Sequence, residues 1–518
     1  MNRKPDFYKG ADISFLPQCL DAGMQVKDLD GLPKDPFELL QKHGVNAIRL
    51  RLWHTPENVP ESGGYCDLSH TISMAEKIRE YGMQFMLDFH YSDFWADPGQ
   101  QRKPKAWENL GPGQLEEAVF RYTADTLRTM KKKGVLPDIV QIGNEIRSGL
   151  LFPDGELPDC AGMVRLVNAG IRGARSVAGP EEMQIMIHLD QGGRYFYLKE
   201  WFSNAFASGL MDFDLIGLSY YPFWHGTYAD LKSTMERLAK EYGKPIMVVE
   251  SAYAWRTCAD GFIDEAQEKL AGFPASPQGQ RKVLELINGI VASVPDKMGL
   301  GVFYWEPLCL PVNGVGAWGK NMGLLDETGQ ALEGIRAFEF EREDYDPLRW
   351  KERYEPLYAQ AGKKTEDILP EGRNLLRNPG WEEGMDSWKT EGSDGCTSAL
   401  SDPEEGQEQT IRTLCVEGTK NFTFRLSQQV PVTEPGSYCF QAEIQGTDTT
   451  GVHVSLFVQA ETGGTELMVH PTEHEFTGFR TEAVKLEAGT VTVGISITAS
   501  PMFAKVRRLS FFQSPVRK

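Results

Sequence analysis

The stretch DIVQIGNEI (residues 138–146) decides how the chain is read. A largely apolar run, of the kind that forms a strand buried on both faces, stops abruptly at Gly143-Asn144-Glu145. A carboxylate taken out of water costs several kcal/mol unless something compensates it. The rest of the chain should therefore supply Glu145 with company.

Seven further runs share this texture: residues 8–14, 46–53, 84–91, 184–190, 213–221, 245–251 and 300–307. Between them lie segments with apolar residues at helical spacing, such as TISMAEKIREYG and LEEAVFRYTADTLRTMKKKG. Several end in a glycine (Gly44, Gly82, Gly134, Gly243) suited to the left-handed residue that closes a helix. Eight strand–helix units imply a parallel sheet with helices outside, and no Gly-rich phosphate loop follows any strand. The expected fold is a closed (β/α)8 barrel over residues 1–345, not an open doubly wound sheet.

After residue 345 the texture changes. Residues 346–372 are highly charged and read as a connector. From 373 to 518 short alternating segments separated by turn residues predict an antiparallel β-sandwich. The stretch NLLRNPGWEEGMDSW (374–388) resembles the first strand and turn of jelly-roll carbohydrate-binding modules. Trp381 and Trp388 read there as core or as ligand contacts, and Phe422, Phe424, Phe440 and Phe457 as sandwich interior.

Composition limits the partners. With 41% apolar and 25% charged residues the chain has a globular composition. A net charge of −19 argues against nucleic acid or an anionic membrane as a partner. No apolar run is long enough to span a bilayer. The opening MNRKPDFYKG lacks a signal-peptide core, so the expected location is the cytoplasm if Met1 is native, and outside the cell if a leader was removed. Cysteines 19, 66, 160, 258, 309, 396, 415 and 439 are scattered without zinc-ligand spacing and read as free thiols.

In a (β/α)8 barrel, chemistry sits at the C-terminal ends of the strands. Arg49, Arg51 and Trp53-His54 lie on or just after the second strand, and Asp88 and His90 on the third, followed by Tyr91, Asp93, Trp95 and Asp97. His188 and Asp190 end the fifth strand. Tyr220 and Tyr221 end the sixth, followed by Trp224 and His225, and Glu250 and Trp305-Glu306 end the seventh and eighth. Two glutamates closing apolar strands within a rim of Trp, Tyr and His fit glycosidic hydrolysis. One carboxyl protonates the leaving oxygen while the second attacks or activates water. Aromatic faces suit sugar rings. Asp88 and His90 share a face and could hold a metal, but the first strand offers only Asp12, so neither metal nor cofactor is expected. No strand ends in lysine, and no G-x-S-x-G or P-loop occurs.

The segments at 86–107, 140–145, 218–227, 247–253 and 301–307 together resemble the arabinogalactan endo-β-1,4-galactanases of glycoside hydrolase family 53. The resemblance implies a retaining enzyme acting on β-1,4-galactan or galacto-oligosaccharides, with Glu145 as acid/base and Glu250 as nucleophile. It implies that Asn144 holds the sugar 2-hydroxyl, that Arg49 keeps Glu250 ionised, and that Tyr220 or Tyr221 orients Glu250. Trp305 becomes the sugar platform, and Asp88, His90, Asp93, Trp95, Tyr220, Tyr221, Trp224, His225 and Glu306 the substrate-binding set. Two segments depart from the family. Residues 254–273 lack the calcium-loop pattern of several bacterial members, so structural calcium is not expected. The run after Glu145, IRSGLLFPDGEL, replaces a Gly-rich run, and Arg147 is expected to reshape one side of the cleft and shift chain-length preference. An oligosaccharide-trimming enzyme and a galactan-binding protein without catalysis are the competing readings.

Overall fold

The structure is a computed structural model that describes residues 4–342 and 374–513. Within those spans it leaves out 259–260, 265–266, 269–270, 312–315, 317, 380, 382–383, 402–411, 419–420, 447–452, 461–462, 472–475, 482 and 500–501. The chain divides into two compact units, 1–361 and 362–518. The charged connector expected at 346–372 lies outside the described residues.

The first unit is a closed barrel of eight parallel strands. They are β1 (Tyr8–Asp12), β2 (Ala47–Leu52), β3 (Gln84–Phe89), β4 (Ile139–Ile142), β5 (Gln184–Leu189), β6 (Leu215–Ser219), β7 (Ile246–Ser251) and β8 (Gly299–Trp305). Their order around the barrel is β1-β8-β7-β6-β5-β4-β3-β2. Each matches a run expected from the sequence, but most stop two or three residues earlier, because the chain leaves the ladder where the polar residues begin. Among the described residues of the same unit, the α-helices of six residues or more are α1 (Leu16–Asp21), α2 (Pro36–Lys42), α3 (Leu68–Glu80), α4 (Pro112–Lys132), α5 (Cys160–Arg175), α6 (Tyr195–Ala207), α7 (Tyr228–Tyr242) and α8 (Pro277–Ala292). Asp35, Asp67, Asp159, Thr227 and Ser276 cap five of these helices by accepting backbone N–H bonds. Gly44, Gly82, Gly134 and Gly243 all have positive φ. Among the described residues no helix is long and apolar enough to cross a membrane.

Alternation along the strands separates two cores. On β2, Ile48, Leu50 and Leu52 join the large cluster between barrel and helices. Ala47, with Tyr8, Met86, Ile139, Met186, Leu215, Met247, Val249 and Phe303, fills the barrel interior. Further along the same inward faces the apolar residues give way to Asp12, Arg49, Asp88, Gln141 and His188, all nearly inaccessible. The barrel is thus oily at one level and charged at the next, and that second level is the floor of the site.

The second unit is a sandwich of two antiparallel sheets. Its strands are β9 (Lys389–Gly392), β10 (Cys396–Ser401), β11 (Thr413–Gly418), β12 (Phe422–Val432), β13 (Gly436–Gly446), β14 (His453–Ala460), β15 (Gly463–Val469), β16 (Thr477–Arg480), β17 (Val484–Leu486), β18 (Gly489–Ala499) and β19 (Met502–Gln513). One sheet runs β9-β12-β18-β14-β15. The other runs β10-β11-β19-β13-β16, with β17 also paired to β13. Trp381 and Trp388 lie in the core with Phe422, Phe424 and Phe440, so neither tryptophan is a surface contact. Phe457 departs from expectation. It alternates with the core residues Leu456 and Val458, and is buried on the opposite face beneath Arg425, 3.8 Å from its ring centre. All eight cysteines are free.

Candidate active site

Glu145 follows β4 through a left-handed turn, with φ of 80° at Gly143 and 47° at Glu145 itself. The left-handed region is uncommon for a residue with a Cβ, and such strain concentrates at functional sites. Glu250 reaches the same space from β7. Between β6 and β7 the pairing shifts by one residue, from Leu218↔Val248 to Ser219↔Glu250. A bulge of this kind re-aims the side chains beyond it. One oxygen from each glutamate and a ring nitrogen of His188 lie within 4.8 Å of one another.

The two carboxyls have different company. Tyr221 Oη donates to Glu250 Oε1 at 2.9 Å, and Arg49 Nη1 stands 3.3 Å from Oε2. Arg49 is itself fixed by Asp12 (2.8 Å), Asp88 (2.8 Å), Asn144 Oδ1 (2.9 Å) and Gln141 Oε1 (3.2 Å). Burial pushes Glu250 up to about 7, with Arg49 and Tyr221 pulling against it. Burial also raises Glu145 well above the ordinary carboxyl range, and the charges of Glu250 and Asp190 add to the effect. Glu145 is thus the carboxyl that keeps its proton, and Glu250 the one that loses it first.

His188 is held neutral, because burial and the cation Arg49 depress its proton affinity. Its Nδ1 lies 2.9 Å from Gln141 Nε2, 3.1 Å from Asn144 Oδ1 and 3.4 Å from the Glu145 N–H, and its Nε2 meets Ser219 Oγ at 2.8 Å. Glu145, His188 and Glu250 would also suit a cation as ligands. However, both ring nitrogens are engaged and Arg49 already occupies the side of Glu250.

Several residues assigned to substrate on sequence grounds lie deeper. Asp88 is fully buried and holds Arg49, Gln141 and His90. His90 Nδ1 accepts from Trp53 Nε1 and the Ala96 N–H, and its Nε2 faces Asp88 at 3.1 Å. Asp93 is a loop staple: it accepts from the N–H groups of Thr55 and Lys105 and from Asn58. Glu306 is 1% exposed and bonded to Arg51 at 2.6 Å and to the Phe15 N–H. None of these four carries an open face for a sugar. Asp88 is enclosed on β3 by the neighbouring strands, whereas His90, Asp93 and Glu306, just past the strand ends, are closed in by their hydrogen-bond partners.

The alternation resolves the tyrosine pair. Tyr221 reaches Glu250, while Tyr220 Oη donates to the Gly226 carbonyl away from it. Asn144 Nδ2 donates to the Ala96 carbonyl and Oδ1 accepts from Arg49, so Asn144 is anchored beside Glu145. His225 is buried, its Nδ1 3.1 Å from the Ser219 carbonyl. Trp305 and Trp95 are half-buried and pack 5.9 Å apart, with Trp318 4.4 Å from Trp305. Trp224, 36% exposed, is the open aromatic of the rim. Gln141 and Ser219 carry no signal in the sequence reading, because a polar residue inside a strand looks the same whether or not it is buried.

The sequence profile of glycosyl hydrolase family 53 matches residues 8–338. The chain belongs to glycosyl hydrolase family 53. Among family relatives it is 35% identical to the endo-β-1,4-galactanase of Bacillus subtilis strain 168 over 349 residues, 65% of this chain and 79% of that protein. It is 34% identical to the arabinogalactan endo-β-1,4-galactanase A of Aspergillus niger, covering 64% of this chain and 94% of that one. A solved family 53 catalytic domain from Ignisphaera aggregans superposes with a TM-score of 0.61 at 36% identity, covering 64% of this chain and 95% of that domain. The matched span takes in the whole barrel and both strand-end glutamates.

Proposed function

We propose that this family 53 enzyme hydrolyses β-1,4-galactosidic bonds, in galactan or in derived galacto-oligosaccharides, by double displacement with retention. The observation that carries it is the pair Glu145 and Glu250, each with one carboxylate oxygen within 4.8 Å of an oxygen of the other. Retaining glycosidases hold their carboxyls about 5–5.5 Å apart, whereas inverting ones leave about 6.5–9.5 Å for a water.

In the first step a Glu250 oxygen bonds to the anomeric carbon. The carbon–oxygen bond to the leaving sugar breaks, and Glu145 gives its proton to that oxygen. Glu250, now an ester, no longer carries the charge that raises Glu145, so the proton affinity of Glu145 falls and it stays ionised, free to take a proton from water in the second step. The water oxygen then bonds to the anomeric carbon and Glu250 leaves as carboxylate. Two inversions give net retention. Tyr221 and Arg49 orient Glu250 throughout, and Trp305 offers its face to the sugar ring.

A reducing-sugar assay on β-1,4-galactan and on defined oligosaccharides tests this reading. The wild type should cleave them, Glu250→Gln should abolish cleavage and Glu145→Gln should cut it by about 10²–10⁴-fold, both with a melting temperature near wild type. Hydrolysis at a near wild-type rate in either variant would remove that residue from the mechanism. Product sizes from the same assay separate polymer cleavage from oligosaccharide trimming.

A further inference from the structure

Arg147 lies two residues past Glu145, on the short 3-10 turn Ile146–Ser148. Its Nε stands 3.0 Å from both carboxylate oxygens of Asp190, and its guanidinium carbon lies 5.6 Å from the ring centre of Tyr197 on α6. Asp190 is 3% exposed, whereas Arg147 is only half-buried. The pair therefore ties the loop after β4 to the loop after β5 and keeps one face toward solvent. The displacement described above draws on Asp190 only as a charge near Glu145 and gives Arg147 no role.

Its side of the cleft follows from the chemistry. The acid/base stands beside the oxygen that leaves, and the nucleophile beside the carbon it attacks. The surrounding charges divide in the same way: Asp190 bears on Glu145, while Asp12 and Asp88 bear on Glu250. Arg147 and Asp190 thus stand on the leaving-group side. A guanidinium presents five donors in a fixed fork, of which Nε is engaged with Asp190 and another N–H with Tyr197, while Asp190 is also met by Gln191 Nε2 at 3.2 Å. The remaining N–H donors of the half-buried guanidinium suit the oxygens of vicinal hydroxyls. In a 1,4-linked chain, O2 and O3 of every unit are such a pair.

We propose that Arg147, held by Asp190, binds the O2–O3 hydroxyls of the sugar unit on the leaving side and so sets how much chain beyond the cut the enzyme requires. This rests on the hydrolytic reading above. The test compares kcat/KM on a β-1,4-galacto-oligosaccharide with kcat/KM on a 4-nitrophenyl galacto-oligosaccharide of the same glycone, whose leaving group carries no sugar hydroxyls. For Arg147→Met the loss on the oligosaccharide should exceed the loss on the aryl substrate by about tenfold or more, mainly in KM, as expected for one lost charge-assisted hydrogen bond. Arg147→Met with Asp190→Asn leaves no unpaired buried carboxylate, and should show the same difference if the single variant does not fold. Equal losses on the two substrates, or no loss on the oligosaccharide, would overturn the assignment. A wild type inactive on both would overturn the hydrolytic reading itself.

Discussion

Arg49 Nη1 stands 3.3 Å from Glu250 Oε2, while the same guanidinium is bonded to Asp12, Asp88, Asn144 and Gln141. Arg49 is therefore a fixed cation that cannot swing away when Glu250 changes charge. Together with Tyr221, it favours the ionised form of Glu250 over that of Glu145. Four predictions follow from this floor and the groups above it.

The first concerns pH. Glu250 must be ionised to attack, so kcat/KM should rise as pH rises through about 7. It should fall again at higher pH as Glu145, which burial raises further, loses its proton. Tyr221 and Arg49 favour the carboxylate form, so weakening either contact raises the proton affinity of Glu250. Tyr221→Phe should move the acid-side inflection to higher pH by about one to two units, the equivalent of one hydrogen bond to a charged group. Arg49→Lys should move it the same way, and a shift to lower pH would contradict the assignment.

The second separates the two glutamates. Removing the general acid costs most when the leaving group is a poor one, typically about 10²–10⁴-fold. Glu145→Ala should lose that much on galacto-oligosaccharides but far less on a 2,4-dinitrophenyl glycoside, which departs without protonation. Glu250→Ala should lose activity on both. Steady-state kinetics on the two substrates read this directly.

The third concerns the floor. Asp88 pairs with Arg49 at 2.8 Å and accepts from Gln141 at 2.6 Å, with no exposure to water. Breaking one partner of a buried pair leaves the other charge uncompensated, which costs about 3–5 kcal/mol. Asp88→Ala should lower stability by that order in denaturant titration, and Asp88→Asn, which keeps the shape, by less.

The fourth concerns the platform. Trp305 is half-buried with Trp95 at 5.9 Å and Trp318 at 4.4 Å behind it. Trp305→Ala should reduce kcat/KM on oligosaccharides by about tenfold or more, the loss of roughly 1.4 kcal/mol of ring contact. Trp224→Ala, which removes an exposed rim residue, should change it less.

The barrel was legible because a strand buried on both faces leaves a largely apolar run, interrupted here by charges such as Asp12, Arg49, Arg51 and Asp88, and eight such runs alternate with helical patterns. Glu145 and Glu250 were legible because each ends such a run. Depth was not. Asp88, His90, Asp93 and Glu306 are the same residue types that grip sugars, yet their partners are Arg49, Trp53, Thr55 and Arg51, each distant in the chain. Only the closed ring of strands brings those partners together. The choice between Tyr220 and Tyr221 likewise needed the register of β6 against β7, where a one-residue shift decides which side chain meets Glu250. Gln141 escaped notice because an amide inside a strand gives no pattern, although it joins Arg49, Asp88 and His188.

The central claim is that Glu250 forms a bond to the anomeric carbon. The most direct measurement is to trap that bond with an activated 2-deoxy-2-fluoro-β-galactoside, extended by β-1,4-linked galactose, and to sequence the labelled peptide by mass spectrometry. The account predicts one sugar per chain, attached at Glu250, with labelling lost in Glu250→Gln and retained in Glu145→Gln. A label on any other side chain, or hydrolysis without a covalent adduct and with inverted products, would contradict it.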